Sequence, residues 1–391
     1  MSGRVHPCPD GTPPGAPAEA SPLAEASAVA ELSAIAEAFA IPVPVRHLSA
    51  LGNGNVNDTF RLQAADGRHY VLQRLNREVF PRPDLVMGNI ARLGEHLDGR
   101  PLNLEHSGRP WELPRLVPTR DGGGRWLQRD GQAWRLLTHV DDAISHDTVR
   151  DADHAREVGR ALGRFHLLIH DLPCDQLADT LEGFHVTPRY LQAYRSVLAR
   201  QPPGAGCQGS RWCHAFVAQR LQLAPVLERA RDRGLLRLRP IHGDPKVNNV
   251  LLDRRSGEAV ALVDLDTVKP GLVQYDIGDC LRSGCNPAGE DANDLAAVRF
   301  DLTLCRPMLG GYLELARPCL SAADLDHIAV AVRLIAFELG LRFFTDHLAG
   351  NRYFRCRHPN HNLERALVQF RLTESIEAQQ QAIAKLVEEL R

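Results

Sequence analysis

A carboxylate, an ammonium group and a carboxamide lie close together in the segment "IHGDPKVNNVLLD", residues 241–253. They belong to Asp244, Lys246 and Asn249, and the segment holds no serine or cysteine that could act as a nucleophile. A second carboxylate, Asp264, follows in "AVALVDLD" after the polar turn "RRSGE". The two apolar runs predict an antiparallel hairpin, which would bring Asp244, Asn249 and Asp264 to the same end of the ribbon.

These groups are the ones that transfer of a phosphoryl group requires. The oxygens of Asn249 and Asp264 are hard ligands, which suit Mg²⁺ held jointly with nucleotide phosphates better than they suit zinc. Asp244 is then left to accept the proton of an attacking hydroxyl group, and Lys246 supplies a cation for the charge that develops. The simpler interpretation is a hairpin whose polar ends are solvated, with Asn and Asp acting as turn residues.

The order His, x, Asp, x, Lys, x, x, Asn, followed by a second Asp, resembles the catalytic loop and the metal-binding aspartate of the protein-kinase-like fold. In the non-protein kinases of that fold the second motif is not a strict D-F-G, and here it reads "DLD", residues 264–266. The resemblance implies that Asp244 is the catalytic base and that Lys246 contacts the γ-phosphate. It also implies that Asn249 and Asp264 bind Mg²⁺.

Two further residues are implied to support this loop rather than to do chemistry. His242 would be a packing residue that shapes the loop. Asp276, in "YDIGDCLRSG", matches an aspartate that braces the loop by hydrogen bonding, although it could also cap a helix.

The nucleotide is expected to bind upstream of these motifs. Gly52 and Gly54 in "LGNGNVNDTF" resemble a glycine-containing loop over ATP phosphates, since glycine allows close backbone approach, and a common turn is the alternative. "YVLQRLN" supplies Arg74 where the fold usually places a lysine against the α- and β-phosphates. Gln73 takes that place if the strand register differs by one residue.

Three more residues are expected to complete the nucleotide site. One is an acidic partner for Arg74 on the following helix, for which Asp84 and Glu95 are both candidates. The segment "WRLLTHV" ends in His139 and Val140, and the resemblance implies that these two residues contact the nucleotide.

The chain divides into a small strand-rich lobe and a larger helical lobe. Residues 1–20 are rich in Pro, Gly and Ala without periodicity, which is typical of a disordered tail. "TFRL" and "YVLQRL" flank an Asp-Gly turn and predict a hairpin in a nucleotide-binding lobe over residues 21–140. Residues 141–391 predict long helices, interrupted by the hairpin that contains the catalytic groups. We therefore expect an α+β, bilobal, protein-kinase-like fold.

The helix predicted over residues 327–348 is apolar on almost every face, and its polar exceptions align. Glu338, Arg342 and Asp346 are spaced by four residues and share one stripe. Such a stripe either forms an ion-pair ladder on the helix or lines a polar cavity. Without family information, the ladder is the simpler interpretation.

Segments from about residue 48 to 380 resemble the N-acetylhexosamine 1-kinases, which are anomeric sugar kinases of the aminoglycoside-phosphotransferase-like group. Among these segments are "LGNGNVNDTF", "FHVTPRYL", "HGDPKVNN", "ELGLRFFTDHLAGNRYF" and "NLERALVQFRLTESIEAQ". The resemblance implies phosphoryl transfer from ATP to the anomeric hydroxyl of N-acetylglucosamine or N-acetylgalactosamine. It implies that Arg342 and Tyr353 bind the sugar, and it makes Asp346 and Arg282 further candidates.

Two other functions stay open at this point. The same chemistry could act on an aminoglycoside or another small hydroxyl compound, although polycationic acceptors usually need acidic linings and this stripe includes an arginine. The other function is a catalytically silent, nucleotide-binding regulator. The intact set of Asp244, Lys246, Asn249 and Asp264 argues against such a regulator.

Composition excludes several other classes of protein. With a net charge of -2 and 24% charged residues, the chain has no excess of the cations that nucleic acids or anionic membranes attract. Nine cysteines without paired spacing indicate reduced thiols and a cytoplasmic location. No apolar run reaches membrane length and no secretory signal is visible, and the sequence predicts no particular oligomeric state.

Overall fold

The computed structural model describes residues 22–51, 56–100, 108–200 and 207–391, with side chains from residue 27 onward. The predicted tail, residues 1–20, therefore lies outside the described residues. So do Gly52 and Gly54 of the predicted phosphate loop.

Five strands in the first third of the chain form one antiparallel sheet, in the order β1-β2-β3-β5-β4. They are β1 (His47–Ala50), β2 (Asp58–Gln63), β3 (His69–Leu75), β4 (Leu127–Arg129) and β5 (Gln132–Thr138). The predicted hairpin is confirmed as β2 and β3, and Gly67 in its turn has a φ of +87°. That left-handed backbone conformation is one that glycine adopts without a steric penalty.

The sheet buries one face against the first helix. Leu62, Leu72 and Leu136 are fully buried and pack with Ile35 and Phe39 in a small apolar core. Since side chains alternate along a strand, the residues on either side of each leucine point to the opposite face of the sheet.

Helices make up most of the remaining chain. They are α1 (Pro22–Ala36), α2 (Pro83–Leu97), α3 (Ala152–Ile169), α4 (Thr187–Leu198), α5 (Gln208–Gln219), α6 (Val226–Asp232), α7 (Val273–Gly284), α8 (Leu302–Ala316), α9 (Ala322–Asp326), α10 (Ile328–Leu348), α11 (His361–Ala378) and α12 (Gln380–Glu389). In α10, 15 of 21 residues are buried, because α4, α7 and α11 all pack against it. No helix of the described ranges has the length and apolar character that a membrane span requires.

Short strands surround the predicted catalytic hairpin. The hairpin is confirmed as β8 (Val250–Asp253) and β9 (Ala259–Leu262), which pair antiparallel. The structure adds β6 (Ala143–Ile144) beside β8, and it pairs β7 (Arg239–Ile241) with β10 (Lys269–Gly271). The expectation of a single strand segment in the second lobe is therefore wrong, because strands of two or three residues are too short to show alternation.

The sheet and the helical part are joined through buried polar contacts. Arg135 of β5 forms an ion pair with Asp266, with 2.5 Å between Nη2 and Oδ1, and both side chains are almost fully buried. Asn57 donates a hydrogen bond of 2.7 Å to the other oxygen of Asp266. Asn89 of α2 donates to the carbonyl oxygens of Ala178 and Val268, each at 2.8 Å. The segment that contains Asp264 is thus held directly under the sheet.

Candidate active site

Asp244, Asn249 and Asp264 meet at one end of the β8–β9 hairpin, as antiparallel pairing predicted. Asp244 and Lys246 are joined by an ion pair of 2.9 Å between Oδ2 and Nζ. The Asn249 amide donates to the Asp244 backbone oxygen at 2.7 Å and lies 3.3 Å from its Oδ2. Asp264 follows β9 in a left-handed conformation, with φ of +66°. Asp244, Lys246 and Asp264 line one cavity that opens to solvent.

Asp276 of α7 fixes the backbone of the loop before Asp244. Its carboxylate accepts the backbone N–H of His242 at 2.7 Å and that of Gly243 at 2.8 Å. It also contacts Nε2 of His166 at 2.9 Å. The hydrogen-bonding arrangement is the one that the sequence resemblance implied for Asp276.

His242 is buried and its ring bonds only to backbone groups. Nδ1 accepts the backbone N–H of Asp244 at 3.2 Å, and Nε2 donates to the Val263 carbonyl oxygen at 3.0 Å. Each ring nitrogen thus has the role it takes in a neutral imidazole. Burial lowers the pKa of His242, which agrees with a neutral ring.

The carboxylates at the cavity differ in their preference for a proton. Burial raises the pKa of Asp244, but the Lys246 ammonium group, followed by His242 and Arg282, lowers it, so the net shift is downward and Asp244 is ionised at neutral pH. Burial, followed by the charges of Asp266 and Asp244, raises the pKa of Asp264 to about 7. Solvent reaches the Asp264 side chain within the cavity, while protein surrounds it on the other sides.

This donor set fits a hard divalent cation. Among the described residues, no hydrogen bond engages the Asp264 carboxylate or the side-chain oxygen of Asn249. A divalent cation beside Asp264 would offset the cost of burying its charge and the repulsion from Asp266 and Asp244, the effects that raise its pKa. The oxygens of Asn249 and Asp264 thus suit Mg²⁺ chemically, and their role as its ligands stays a prediction.

Arg74 does not reach the cavity, so the structure does not support its predicted place at the phosphates. Its guanidinium group pairs with Asp58 on the neighbouring strand, with 2.8 Å between Nε and Oδ2. Neither Asp84 nor Glu95 is its partner. Arg74 lies on the face of Leu72, whereas Gln73 points to the other face, where its oxygen accepts from Arg135 at 2.9 Å.

The two residues predicted from the end of "WRLLTHV" are placed where the sheet continues into the helical part. Nδ1 of His139 lies 2.9 Å from a carboxylate oxygen of Asp141, which His69 also contacts at 2.9 Å. Val140 is buried in the main core. Neither His139 nor Val140 lines the described cavity.

Arg342 enters the cavity from α10 inside a group of aromatic rings. Its guanidinium carbon lies 4.8 to 5.9 Å from the centres of four rings. The rings are those of Phe184, Tyr190, Tyr353 and Phe354. Within the described part of the chain, Arg342 makes no hydrogen bond or ion pair. Arg342 and Tyr353, the predicted sugar-binding residues, thus line the same cavity as Asp244.

The stripe on α10 is not an ion-pair ladder. Glu338 bonds to residues of another segment: its Oε1 lies 2.9 Å from Nδ1 of His185, and its Oε2 accepts from the Thr187 hydroxyl at 2.6 Å. Glu338 and Arg342 both line the cavity. The second interpretation of the stripe, a cavity lining, is confirmed for these two residues.

Asp346, the third member of the stripe, holds a loop instead of lining the cavity. Its carboxylate accepts the backbone N–H groups of Arg352, Tyr353 and Phe354 at 2.9 to 3.0 Å. The Asn362 amide donates a fourth hydrogen bond at 2.8 Å. Since both oxygens are occupied and the side chain is buried, the suggestion that Asp346 contacts substrate is not supported.

Arg282 lines the cavity but is already paired. Its guanidinium group donates to one oxygen of Asp279 at 2.6 and 2.8 Å, and it lies 3.2 Å from Glu290. The side chain is almost completely buried, so Arg282 is not a surface residue.

Two residues that line or support this site were missed at the sequence level: His185, which lines the cavity, and Arg135, which pairs with Asp266. Arg135 could have been found, because alternation in "QAWRLLT" places it between Ala133 and Leu137 on the face opposite Leu136, where a charged residue between apolar neighbours is unusual. His185 lies in a quoted segment, but its contacts come from distant parts of the chain.

The fold and the cavity define a phosphotransferase of the protein-kinase-like class. The chain belongs to the phosphotransferase enzyme family APH, whose family model matches residues 47–307. It is therefore a small-molecule kinase that transfers a phosphoryl group to a hydroxyl acceptor.

Solved structures support the fold. A microcompartment-associated aminopropanol kinase has a TM-score of 0.60 at 16% identity, with 91% of this chain and 98% of that chain covered. An aminoglycoside phosphotransferase from Alicyclobacillus acidocaldarius has a TM-score of 0.60 at 14% identity, covering 91% and 96%. An amicoumacin kinase in complex with AMP-PNP, Ca²⁺ and its antibiotic has a TM-score of 0.52 at 14% identity, covering 93% of each chain. At these identities the likeness concerns the fold alone.

Replacing Asp346 with asparagine tests its role in the loop. The amide of Asp346→Asn cannot accept all four hydrogen bonds, so we expect a loss of about 1.5–3 kcal/mol in the free energy of unfolding. We also expect a rise in KM for the acceptor, since Tyr353 shifts with the loop. Denaturant unfolding and steady-state kinetics measure the two effects. Asp130→Asn, an exposed turn substitution, is the control, and equal behaviour of the two variants would refute the assignment.

The raised pKa of Asp264 predicts a pH-dependent effect of Mg²⁺. Because this pKa is about 7 in the fold and 3.8 ordinarily, the folded state binds the proton more tightly, and this group makes the metal-free protein less stable as pH rises from about 4 to about 7. Mg²⁺ replaces the proton, so it should raise Tm more at about pH 8 than at about pH 6. Thermal unfolding with and without Mg²⁺ measures this. An equal rise in Tm with Mg²⁺ at both pH values would contradict the assignment. So would an Asp264→Asn variant in which the effect of Mg²⁺ on Tm keeps the same pH dependence.

Proposed function

We propose that this kinase uses ATP and Mg²⁺ to phosphorylate the anomeric hydroxyl of an N-acetylhexosamine, giving the sugar 1-phosphate. The observation that carries the proposal is the environment of Arg342 in the cavity that also contains Asp244. The extended resemblance to N-acetylhexosamine 1-kinases provides independent support. AMP-PNP and Ca²⁺ in the solved amicoumacin kinase agree with the nucleotide and the class of cation.

Arg342 suits a neutral acceptor that offers carbonyl or hydroxyl oxygens. A guanidinium group has five N–H donors and no acceptor, so a group that it binds must supply lone pairs. The surrounding rings offer flat apolar faces, and Tyr353 adds a hydroxyl at the edge of its ring. An acetamido carbonyl beside a pyranose ring meets both requirements.

The acidic groups of the cavity are poorly available to a cationic acceptor. Both oxygens of Glu338 are occupied by His185 and Thr187. Asp279 and Glu290 share Arg282. An amine placed beside Arg342 would face an unpaired positive charge, which costs free energy. This argues against an aminoglycoside as the preferred acceptor.

The residues of the loop account for the transfer step. Asp244 accepts the proton of the anomeric hydroxyl while the oxygen of that hydroxyl attacks the γ-phosphorus. The bond between the γ-phosphorus and the β,γ-bridging oxygen breaks, and ADP leaves. A carboxylate with a lowered pKa is a weak base, which suffices because the hydroxyl loses its proton late in a loose transition state and positioning dominates. Lys246 offers its charge to the γ-phosphate. Bound Mg²⁺, held by Asn249 and Asp264, would neutralise charge on the nucleotide phosphates.

An acceptor panel tests the proposal. The purified protein is incubated with ATP, Mg²⁺ and one of N-acetylglucosamine, N-acetylgalactosamine, glucosamine, an aminoglycoside or aminopropanol. ADP release is followed, and ³¹P NMR locates the phosphate. We expect a 1-phosphate from the N-acetylated sugars, with kcat/KM for N-acetylglucosamine about 10-fold or more above that for glucosamine.

Glucosamine is the matched control, because it replaces the acetamido group with an ammonium group and changes nothing else. Asp244→Asn is the control for the chemistry and should lose turnover while it still binds nucleotide. Product from the aminoglycoside or aminopropanol alone would overturn the sugar assignment. Phosphate on a hydroxyl other than the anomeric one would overturn the position.

Arg342→Met separates acceptor binding from the other steps. Met keeps an unbranched chain of similar length and removes every donor, so KM for N-acetylglucosamine should rise about 10- to 100-fold. KM for ATP should change little, because Arg342 lies outside the predicted nucleotide contacts. Arg333→Met, on the same helix but away from the cavity lining, is the matched control. A parallel rise in both KM values would contradict this role for Arg342.

A further inference from the structure

His185 connects two parts of the cavity through both of its ring nitrogens. Nδ1 lies 2.9 Å from Oε1 of Glu338, and Nε2 lies 2.6 Å from the carbonyl oxygen of Gly243. The side chain is 4% exposed, so water has little access to either nitrogen. Gly243 directly precedes Asp244, and Glu338 is one helical turn from Arg342.

The two partners of His185 restrict where its protons can be. A carbonyl oxygen accepts hydrogen bonds and cannot donate, so Nε2 must carry a proton. A neutral ring would then leave Nδ1 as an acceptor that faces a carboxylate, unless Glu338 itself were protonated. An imidazolium ion paired with an ionised Glu338 satisfies both contacts as charge-assisted hydrogen bonds.

The other charged groups near His185 agree with this state. Burial lowers the pKa of His185, but the Glu338 carboxylate, and after it Asp279 of α7, reverse the shift, so the net direction is upward. Tyr275 of α7 stacks on the ring at 5.5 Å between centroids, and its hydroxyl donates to Glu228. Tyr190 of α4 has its pKa raised mainly by burial and stays neutral. No cation of these elements directly contacts the ring among the described residues.

We propose that His185 is a positioning residue, held as an imidazolium ion, that fixes the peptide before Asp244 and at the same time neutralises Glu338 in the acceptor part of the cavity. Its bond to Gly243 sets the position of the base. Its bond to Glu338 keeps an unpaired carboxylate away from the acceptor. The inference requires only the phosphoryl transfer of the family and not the sugar specificity.

Gly243 makes this control of the base effective. Its φ is +90°, and a Cβ atom at this position would lie 2.6 Å from the Thr267 carbonyl oxygen. Gly243 is therefore restrained on both sides. Its N–H, in the peptide that links it to His242, donates to Asp276, and its carbonyl oxygen, in the peptide that links it to Asp244, accepts from His185. Loss of one restraint would let the peptide rotate and move Asp244, and displacements near 1 Å can cost about 100-fold in rate.

The protonation state is measured first, because it needs no acceptor. In protein labelled with ¹⁵N-histidine, the His185 signals are identified by their loss in His185→Gln. We expect both ring nitrogens to be protonated at neutral pH. An unprotonated Nδ1 would overturn the proposal, whichever acceptor the enzyme uses.

Two substitutions then separate the two bonds. Counted in bonds from Cβ, the amide nitrogen of Asn matches Nδ1 of histidine, and that of Gln matches Nε2. His185→Asn thus keeps a donor for Glu338 and loses the donor for Gly243, while His185→Gln does the reverse. We expect kcat to fall about 100-fold in His185→Asn and by less, about 10-fold, in His185→Gln. KM for the acceptor should rise mainly in His185→Gln, because Glu338 then loses its cationic partner and keeps only the Thr187 hydroxyl.

Stability distinguishes this from a merely structural role. The backbone of His185 is left-handed, with φ of +64°, a conformation that Asn adopts more readily than Gln. A structural role therefore predicts that His185→Asn is the milder variant in both Tm and kcat. His96→Asn and His96→Gln are the matched controls, since the His96 ring contacts Asp171 near the surface, and its backbone oxygen, which both variants keep, accepts from Arg100. The kinetic measurements use whichever acceptor of the panel described above gives the highest kcat/KM. A larger loss of kcat in His185→Gln than in His185→Asn would overturn the proposal.

Discussion

The carboxylate of Asp276 is the constraint on which the catalytic loop depends. It is completely buried and accepts the N–H groups of two successive residues, His242 and Gly243, so both peptide units keep one orientation. The third contact, with His166 of α3, ties this carboxylate to a second helix. A buried carboxylate that lost these donors would be costly, so the loop, α3 and α7 hold one another in place. Asp244 gains its position from that arrangement.

A second buried carboxylate plays the same part for the metal-binding segment. Asp266 contacts Arg135 and Asn57 from the sheet side, and its backbone oxygen accepts from Thr180. Asp264, two residues earlier, therefore cannot move independently of the sheet. Burial contributes most to the raised pKa of Asp264, and this geometry adds to it by keeping the carboxylates of Asp266 and Asp244 nearby. A divalent cation would offset this repulsion, which supports the proposed Mg²⁺ site.

Local patterns were sufficient for the elements and for the meeting of Asp244, Asn249 and Asp264, because antiparallel pairing alone brings hairpin ends together. They were insufficient where one residue of register decides the face: Arg74 and Gln73 differ only by that shift. Spacing by four placed Glu338, Arg342 and Asp346 on one stripe, but it could not tell that the last of them meets a loop. The bond between His185 and Gly243 joins residues 58 positions apart and leaves no local pattern.

The pairing of charges divides the cavity into two chemically different ends. Most of its acids have a cationic partner: Lys246 for Asp244, Arg282 for Asp279 and Glu290, Arg135 for Asp266, and His185 for Glu338. Among the described residues, the acid left over is Asp264 and the cation left over is Arg342. The first calls for a metal ion at the phosphates, and the second calls for lone pairs on the acceptor. In the proposed mechanism, phosphoryl transfer and acceptor choice depend on different unpaired charges, so we expect substitutions around Arg342 to change the acceptor without disturbing the chemistry at Asp264.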